Sequence, residues 1–228
     1  MLASLSTPQD CEAVASAALE EINDVLHNTI DTVTSLDEKL SEVKTTITNY
    51  VNNDASATPS VKRKRQLTNE MIDQVTKKIC TTAGRKFEAT GLNLYEQSHA
   101  CKVTKRNEKL YKKYGKTARG NRYVICGRVD GIDEAKQIII EHKHRMRRFF
   151  NYLPGYEKVQ LYIYMYLTDM KKGQIIQHFQ NDVKSFDVMD FDDSLWATIE
   201  AQVWDFVDDY QAFTKDTKRQ RDLCLTYV

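Results

Sequence analysis

RYVICGRVDG (residues 122–131) and QIIIEHK (residues 137–143) are the two stretches on which the reading of this chain turns. The first is a β-branched and aromatic run from Arg122 to Val129 that delivers Asp130 and Gly131 at its end. The second carries Ile138-Ile139-Ile140, an apolar triplet that reads as a strand buried on both faces. Successive strand side chains point to opposite faces, so Glu141 and Lys143 share one face. If the two strands pair, Asp130 joins them there. Two carboxylates and a lysine converging at the end of a buried strand are costly to keep unless something binds them. A divalent metal is the natural guest, because hard Mg²⁺ takes carboxylate oxygens and retains waters. Taken singly, Asp130 reads as a turn residue before Gly131, and Glu141 with Lys143 as an exposed cross-strand ion pair. Those readings leave unexplained why charges follow directly on the isoleucines.

The D…ExK arrangement resembles the catalytic core of the PD-(D/E)XK nuclease superfamily, and the resemblance extends past the triad. Glu157 to Thr168 (EKVQLYIYMYLT) is similar to the helix after the second catalytic strand in the RecB-like and lambda-exonuclease-like (YqaJ-like) branch. That branch carries Q-x-x-x-Y there, matched by Gln160 and Tyr164. Gly84-Arg85-Lys86-Phe87-Glu88, continuing to Leu92 and Tyr95, is similar to the helix that supplies an additional acidic residue. Gly127-Arg128-Val129-Asp130-Gly131 is similar to the branch's G-x-x-D strand end. Lys143-x-Arg145, Pro154-Gly155-Tyr156 and the run from Tyr164 to Thr168 resemble versions in large DNA viruses and phages. The match spans Thr68 to Phe213. A lone ExK is a weak signal, whereas ordered motifs in matching strand and helix contexts are a strong one. The histidine that many RecB-like relatives place on the first helix has no counterpart at the matching position.

The resemblance implies a restriction-endonuclease-like α/β core, a mixed central sheet flanked by helices; residues 1–60 have no counterpart in the matched motifs and read from their own pattern as an N-terminal helical extension, coiled-coil or packed on the core. The resemblance also implies a metal-dependent DNA nuclease, exonuclease-like, acting in replication, recombination or repair. Asp130 and Glu141 would hold Mg²⁺ or Mn²⁺, with the carbonyl of His142 a further ligand and Glu88 completing the outer shell or a second ion site. Lys143 would orient the nucleophile and stabilise charge on phosphorus. Gln160 and Tyr164, one helical turn apart, would position Lys143 or touch the substrate backbone, and Arg85 and Arg145 would hold phosphates. His142 and His144 alternate away from Glu141, so neither imidazole has a catalytic role. A structure-specific endonuclease on the same fold is the alternative enzyme, and a DNA-binding scaffold the alternative without catalysis. RNA remains open as a substrate, because such a site acts on phosphate rather than sugar.

Composition frames this reading. The 228 residues are enough for one substantial core, and a hydrophobic content of 41% with 12 tyrosines suits a folded chain. Nothing approaches 18 consecutive apolar residues, so no membrane span is expected. No secretory signal is legible at the N-terminus. Five scattered cysteines without a C-x-x-C pair argue for reduced thiols in an intracellular compartment, and against zinc or an iron–sulfur cluster.

The net charge of +1 conceals a strong asymmetry. Residues 1–60 hold two Lys against ten acidic residues, whereas residues 61–168 hold 24 Lys or Arg against ten. The basic excess falls on the segment with the candidate site, which suits phosphate neutralisation. The plainer reading is a solvated surface whose charges folding evens out.

Organisation follows the charge. Leu19, Ile22, Leu26, Val33, Leu36, Leu40, Val43, Ile47 and Tyr50 form a heptad seam that predicts a coiled coil, hence a homo-oligomer or a partner protein bound through residues 19–50. An amphipathic helix packed on the chain's own core is equally consistent. Asn52 to Ser60 reads as a linker, dividing a helical extension (1–60) from a nuclease-like domain (61–228). Lys62-Arg63-Lys64-Arg65 reads as a nuclear-import signal, which would place the protein in the nucleus or a viral replication site, as an extra phosphate contact, or as a plain charge run, which leaves the cytoplasm as its location. Thr68 is expected to cap a helix to Cys80, and Gly84 to open a second. Val103 to Gly120 interleaves Tyr111 and Tyr114 with lysines, a composition that can stack bases and hold a backbone, or an exposed loop or short helix. A strand at Gln174–Phe179, a short one near Phe186–Met189 and an amphipathic helix from Asp192 to Phe213 complete the expected core.

Overall fold

The computed structural model describes residues 61–226 and isolated helical positions between 38 and 49. The residues of the heptad seam, and the whole Asn52–Ser60 linker with the boundary drawn there, lie outside the described residues. The described chain begins with helix α1 (Val61–His99). One helix of 39 residues therefore replaces the two expected, running through both Thr68 and Gly84. A glycine in a helix interior costs only about 1 kcal/mol. Lys77 and Lys78 before it, and Arg85, Lys86, Glu88 and Ala89 after it, are helix formers that carry the helix across.

Strands β1 (Val103–Thr104), β2 (Tyr111–Lys116), β3 (Arg122–Gly127), β4 (Gly131–Asp133) and β5 (Ile138–His144) follow. Then come α2 (Gly155–Thr168), β6 (Lys172–Phe179), β7 (Asp182–Ser185), β8 (Met189–Asp190), α3 (Asp193–Lys215) and α4 (Thr217–Thr226). The central sheet has the order β1-β4-β5-β6-β7, with β8 also pairing β6. The run from Arg122 to Val129 does not pair with the isoleucine strand as one piece. It breaks after Gly127: β3 pairs antiparallel with β2 in a separate two-stranded sheet, and β4 pairs antiparallel with β5. The basic segment expected as a loop or helix thus supplies the strand β2.

The chain divides into two compact units: Met1–Gly91 with Lys143–Phe149 and His178–Asp182, and Leu92–His142 with Phe150–Gln177 and Val183–Val228. In the second unit the central sheet is covered on both faces. Val129, Ile132, Ile139 and Ile175 pack with Leu161, Tyr162 and Met165 of α2 and Trp196 and Ile199 of α3. Val103, Ile138, Ile140 and Ile176 pack with Leu92 and Tyr95 at the end of α1. Adjacent isoleucines thus enter opposite layers, as strand alternation requires, and burial on both faces explains the unbroken apolar run. The Tyr95 hydroxyl, buried in the second layer, donates to Gln174 Oε1 at 2.6 Å, and burial pushes its pKa up to about 12. Helix α3 starts where the sequence placed it, because the Asp192 carboxylate accepts from the Ser194 and Leu195 amides. The expected α/β class, a central sheet flanked by helices, is the architecture of the molecule. No helix among the described residues is long and apolar enough to cross a membrane.

Candidate active site

Asp130 and Glu141 lie on neighbouring stretches of chain at the point where β4 enters the sheet and pairs with β5. Asp130 sits in the bend between β3 and β4, just after the buried Val129. Its Oδ2 accepts a hydrogen bond from the backbone N–H of His142 at 2.8 Å, fastening the bend to β5. Glu141, one residue earlier on β5, is only 1% exposed. Alternation places it with Ile139 on the face covered by α2 and α3, and His142 with Ile138 and Ile140 on the other. Burying an ionised carboxylate costs several kcal/mol unless pairing, hydrogen bonding or a metal offsets it.

The oxygen donors this segment carries, the Asp130 and Glu141 carboxylates and the main-chain carbonyl of His142, have the hard character that Mg²⁺ or Mn²⁺ takes. Among the described residues, no group of three His, Cys, Asp or Glu side chains stands close enough to hold a metal ion. A Mg²⁺ ion commonly uses one or two carboxylates and keeps several waters, so the donor set fits that class.

Helix α2 adds the glutamine and tyrosine of the resemblance. Gln160 Nε2 donates to the Tyr164 hydroxyl at 3.0 Å, one turn along the helix. The Tyr164 ring lies against β3 at Gly127, where an added Cβ would stand 2.7 Å from ring carbon Cε1. The glycine of G-x-x-D therefore makes room for the tyrosine of Q-x-x-x-Y. Two motifs that sequence reading treated separately form one packing unit.

The remaining expected site residues belong to the other unit. Glu88 is half-buried and Arg85 exposed, both on α1. Lys143 is half-buried near the end of β5, and strand alternation within β5 gives it the same face as Glu141. Arg145, expected to present a guanidinium to phosphate, is instead 7% exposed. Its backbone N–H donates to the His178 carbonyl at 2.7 Å. Arg147 and Arg148, which sequence reading passed over, are the exposed cations of this segment.

Sequence reading also missed a histidine pair in this unit. Phe87 of α1 stacks on His144 with ring centroids 4.6 Å apart, and His144 Nδ1 lies 3.4 Å from His178 Nδ1. Burial, and then the neighbouring His178, push the His144 pKa down to about 4. Burial also lowers that of His178, whose Nε2 lies 2.7 Å from the Gln180 carbonyl. A second omission is Gln177, 2% exposed, which accepts from the Phe150 N–H at 2.9 Å and donates to the Phe150 carbonyl at 3.1 Å. This clamp holds the chain just ahead of α2, and a lone glutamine in a strand gave no signal of it.

No protein-family model and no curated protein matches the sequence. Solved structures that are similar include an alkaline exonuclease from Laribacter hongkongensis, at 18% identity and a TM-score of 0.47, covering 73% of this chain and 89% of that one. Another is the crystal structure of SSO0001, at 18% identity and a TM-score of 0.42, covering 81% of this chain and 79% of that one.

Proposed function

We propose that this chain is a metal-dependent nuclease that hydrolyses phosphodiester bonds in DNA, with exonuclease-like action on ends. The observation that carries this reading is the hydrogen bond from the His142 amide to Asp130, which brings a second carboxylate to the strand that carries the buried Glu141. Asp130 and Glu141 would hold Mg²⁺ or Mn²⁺, with the His142 carbonyl and Glu88 as further donors. When bound, such an ion polarises a phosphate and lowers the pKa of a water toward neutrality. Lys143, two residues beyond Glu141 on β5, would offset negative charge developing on the phosphoryl oxygens. The hydrogen bond from Gln160 to the Tyr164 hydroxyl, with the Tyr164 ring against Gly127 of β3, suits both residues to an orienting role. Arg85, Arg147 and Arg148 offer exposed positive charge to a phosphate backbone. The direct experiment is incubation of the purified full-length protein with end-labelled linear DNA, with and without Mg²⁺, beside Glu141→Ala.

A further inference from the structure

The hairpin of β2 and β3 has two unlike faces. Its register pairs Lys112 with Cys126, Tyr114 with Val124 and Lys116 with Arg122 on one face, and Lys113 with Ile125 and Gly115 with Tyr123 on the other. The second face is packed. The Lys113 ammonium lies 4.4 Å from the Tyr166 ring centroid and pairs with Asp169. The Tyr123 hydroxyl accepts from Trp204 Nε1 of α3 at 3.0 Å. The hairpin's end is pinned as well, because Thr117 Oγ1 and Asn121 Nδ2 both donate to Asp208 Oδ1 at 2.7 Å.

The first face looks into solvent. All six of its residues are exposed, Tyr114 to 79% and Val124 to 49%. Three of the six are cations and none is acidic. Packing gives no reason for a ring this exposed at the centre of a strand, and stability gives none for unpaired like charges around it. Residues two apart on a strand are spaced by about 6.7 Å, so Lys112, Tyr114 and Lys116 form a rigid row with Arg122 across from Lys116. A flat aromatic face flanked by cations on a pinned scaffold suits a polyanion that also offers stackable rings. Only an unpaired strand offers both, since the bases of a duplex are already stacked.

We infer that the outward face of the β2–β3 hairpin binds single-stranded nucleic acid, with a base stacked on Tyr114 and phosphates on Lys112, Lys116 and Arg122. The inference rests on the nuclease reading for its substrate class and adds a contact made by residues other than Asp130 and Glu141. It gives the protein a hold on an unpaired strand that needs no metal.

The test is fluorescence anisotropy of a labelled single-stranded oligonucleotide with the full-length protein in EDTA, across a salt series. Tyr114→Ala should weaken binding about tenfold, the effect of one lost stacking partner, while Tyr114→Phe retains it. Replacing Lys112, Lys116 and Arg122 together by Gln should lower the slope of log affinity against log salt by about 2. Because Tyr114 is exposed, its variants should melt with the wild-type protein. Unchanged affinity in Tyr114→Ala, an unchanged salt slope, equal losses on duplex DNA, or no wild-type binding in EDTA would each overturn the inference. Cleavage of the same oligonucleotide and of end-labelled linear duplex in Mg²⁺ is scored separately. Binding that depends on Tyr114 without any cleavage removes the nuclease reading and leaves this surface standing. Cleavage with unaltered Tyr114→Ala affinity does the reverse.

Discussion

The backbone amide of His142 donates to the carboxylate of Asp130 across 2.8 Å, tying the bend before β4 to the strand that follows it. This bond matters more to the site than any property of either residue alone. The Asp130 position is set by β5 itself, so it moves with Glu141, the residue before His142. A site built on paired strands holds its groups more tightly than one built on loops.

The packing of Gly127 against Tyr164 gives a stability prediction. Gly127→Ala places a methyl group 2.7 Å from the Tyr164 ring, so the ring or the strand must shift. Overpacking of this kind costs about 1–3 kcal/mol. Thermal denaturation should show the loss, and combining Gly127→Ala with Tyr164→Ala should cost less than the two single changes added together. Additive losses would mean the two positions are not coupled.

Much of this arrangement was legible in the sequence. The isoleucine triplet followed by charges marked β5, because a strand covered on both faces loses its polar alternation only where it is buried. Asp192 marked the start of α3 because its carboxylate caps the helix amides. The break at Arg128–Asp130 was not legible, since Val129 is as strand-forming as its neighbours and no proline or second glycine interrupts the run. Choice of strand partner is non-local, so nothing near Arg122 announces that β3 pairs with β2 rather than β5. The unbroken α1 was missed for the opposite reason: Gly84 looked like punctuation, but its local cost is too small to end a helix.

The histidine pair predicts an acid-sensitive fold. Unfolded, His144 titrates near its ordinary value of about 6.5, whereas the folded protein holds it neutral down to about 4. The unfolded chain therefore binds more protons across that window. The stability this confers is complete above about pH 6.5 and is lost as the pH falls toward 4. His178 acts in the same direction. The melting temperature should fall from pH 7 to pH 4, and should fall less in His144→Asn. Parallel profiles for the two proteins would count against the assignment.

The acidic segment 1–60 is proposed as an assembly element separable from catalysis. A heptad seam at residues 19–50 buries its apolar edge only against another helix. Light scattering should show the full chain as an oligomer, and a protein beginning near Val61 as a monomer with unaltered DNA affinity. Two monomers would assign the segment to its own core or to another protein, and loss of folding on truncation would move the boundary.

Preference for ends is a further expectation of the proposed activity. Linear duplex should disappear faster than covalently closed circles of the same sequence under the same Mg²⁺ concentration. Equal rates on the two substrates would favour an endonuclease.

Metal-dependent cleavage is measured most directly as the rate of release of end label from linear DNA by the wild-type protein, Asp130→Ala, Glu141→Ala and Lys143→Ala, with Mg²⁺ or with excess EDTA. DNA binding is followed alongside, so that a lost rate can be separated from lost affinity. A metal-dependent site at Asp130 and Glu141 should give Mg²⁺-dependent cleavage by the wild type, a loss of about 10²-fold or more in each variant, and binding largely retained. Cleavage that persists in EDTA, or in Glu141→Ala, would contradict it.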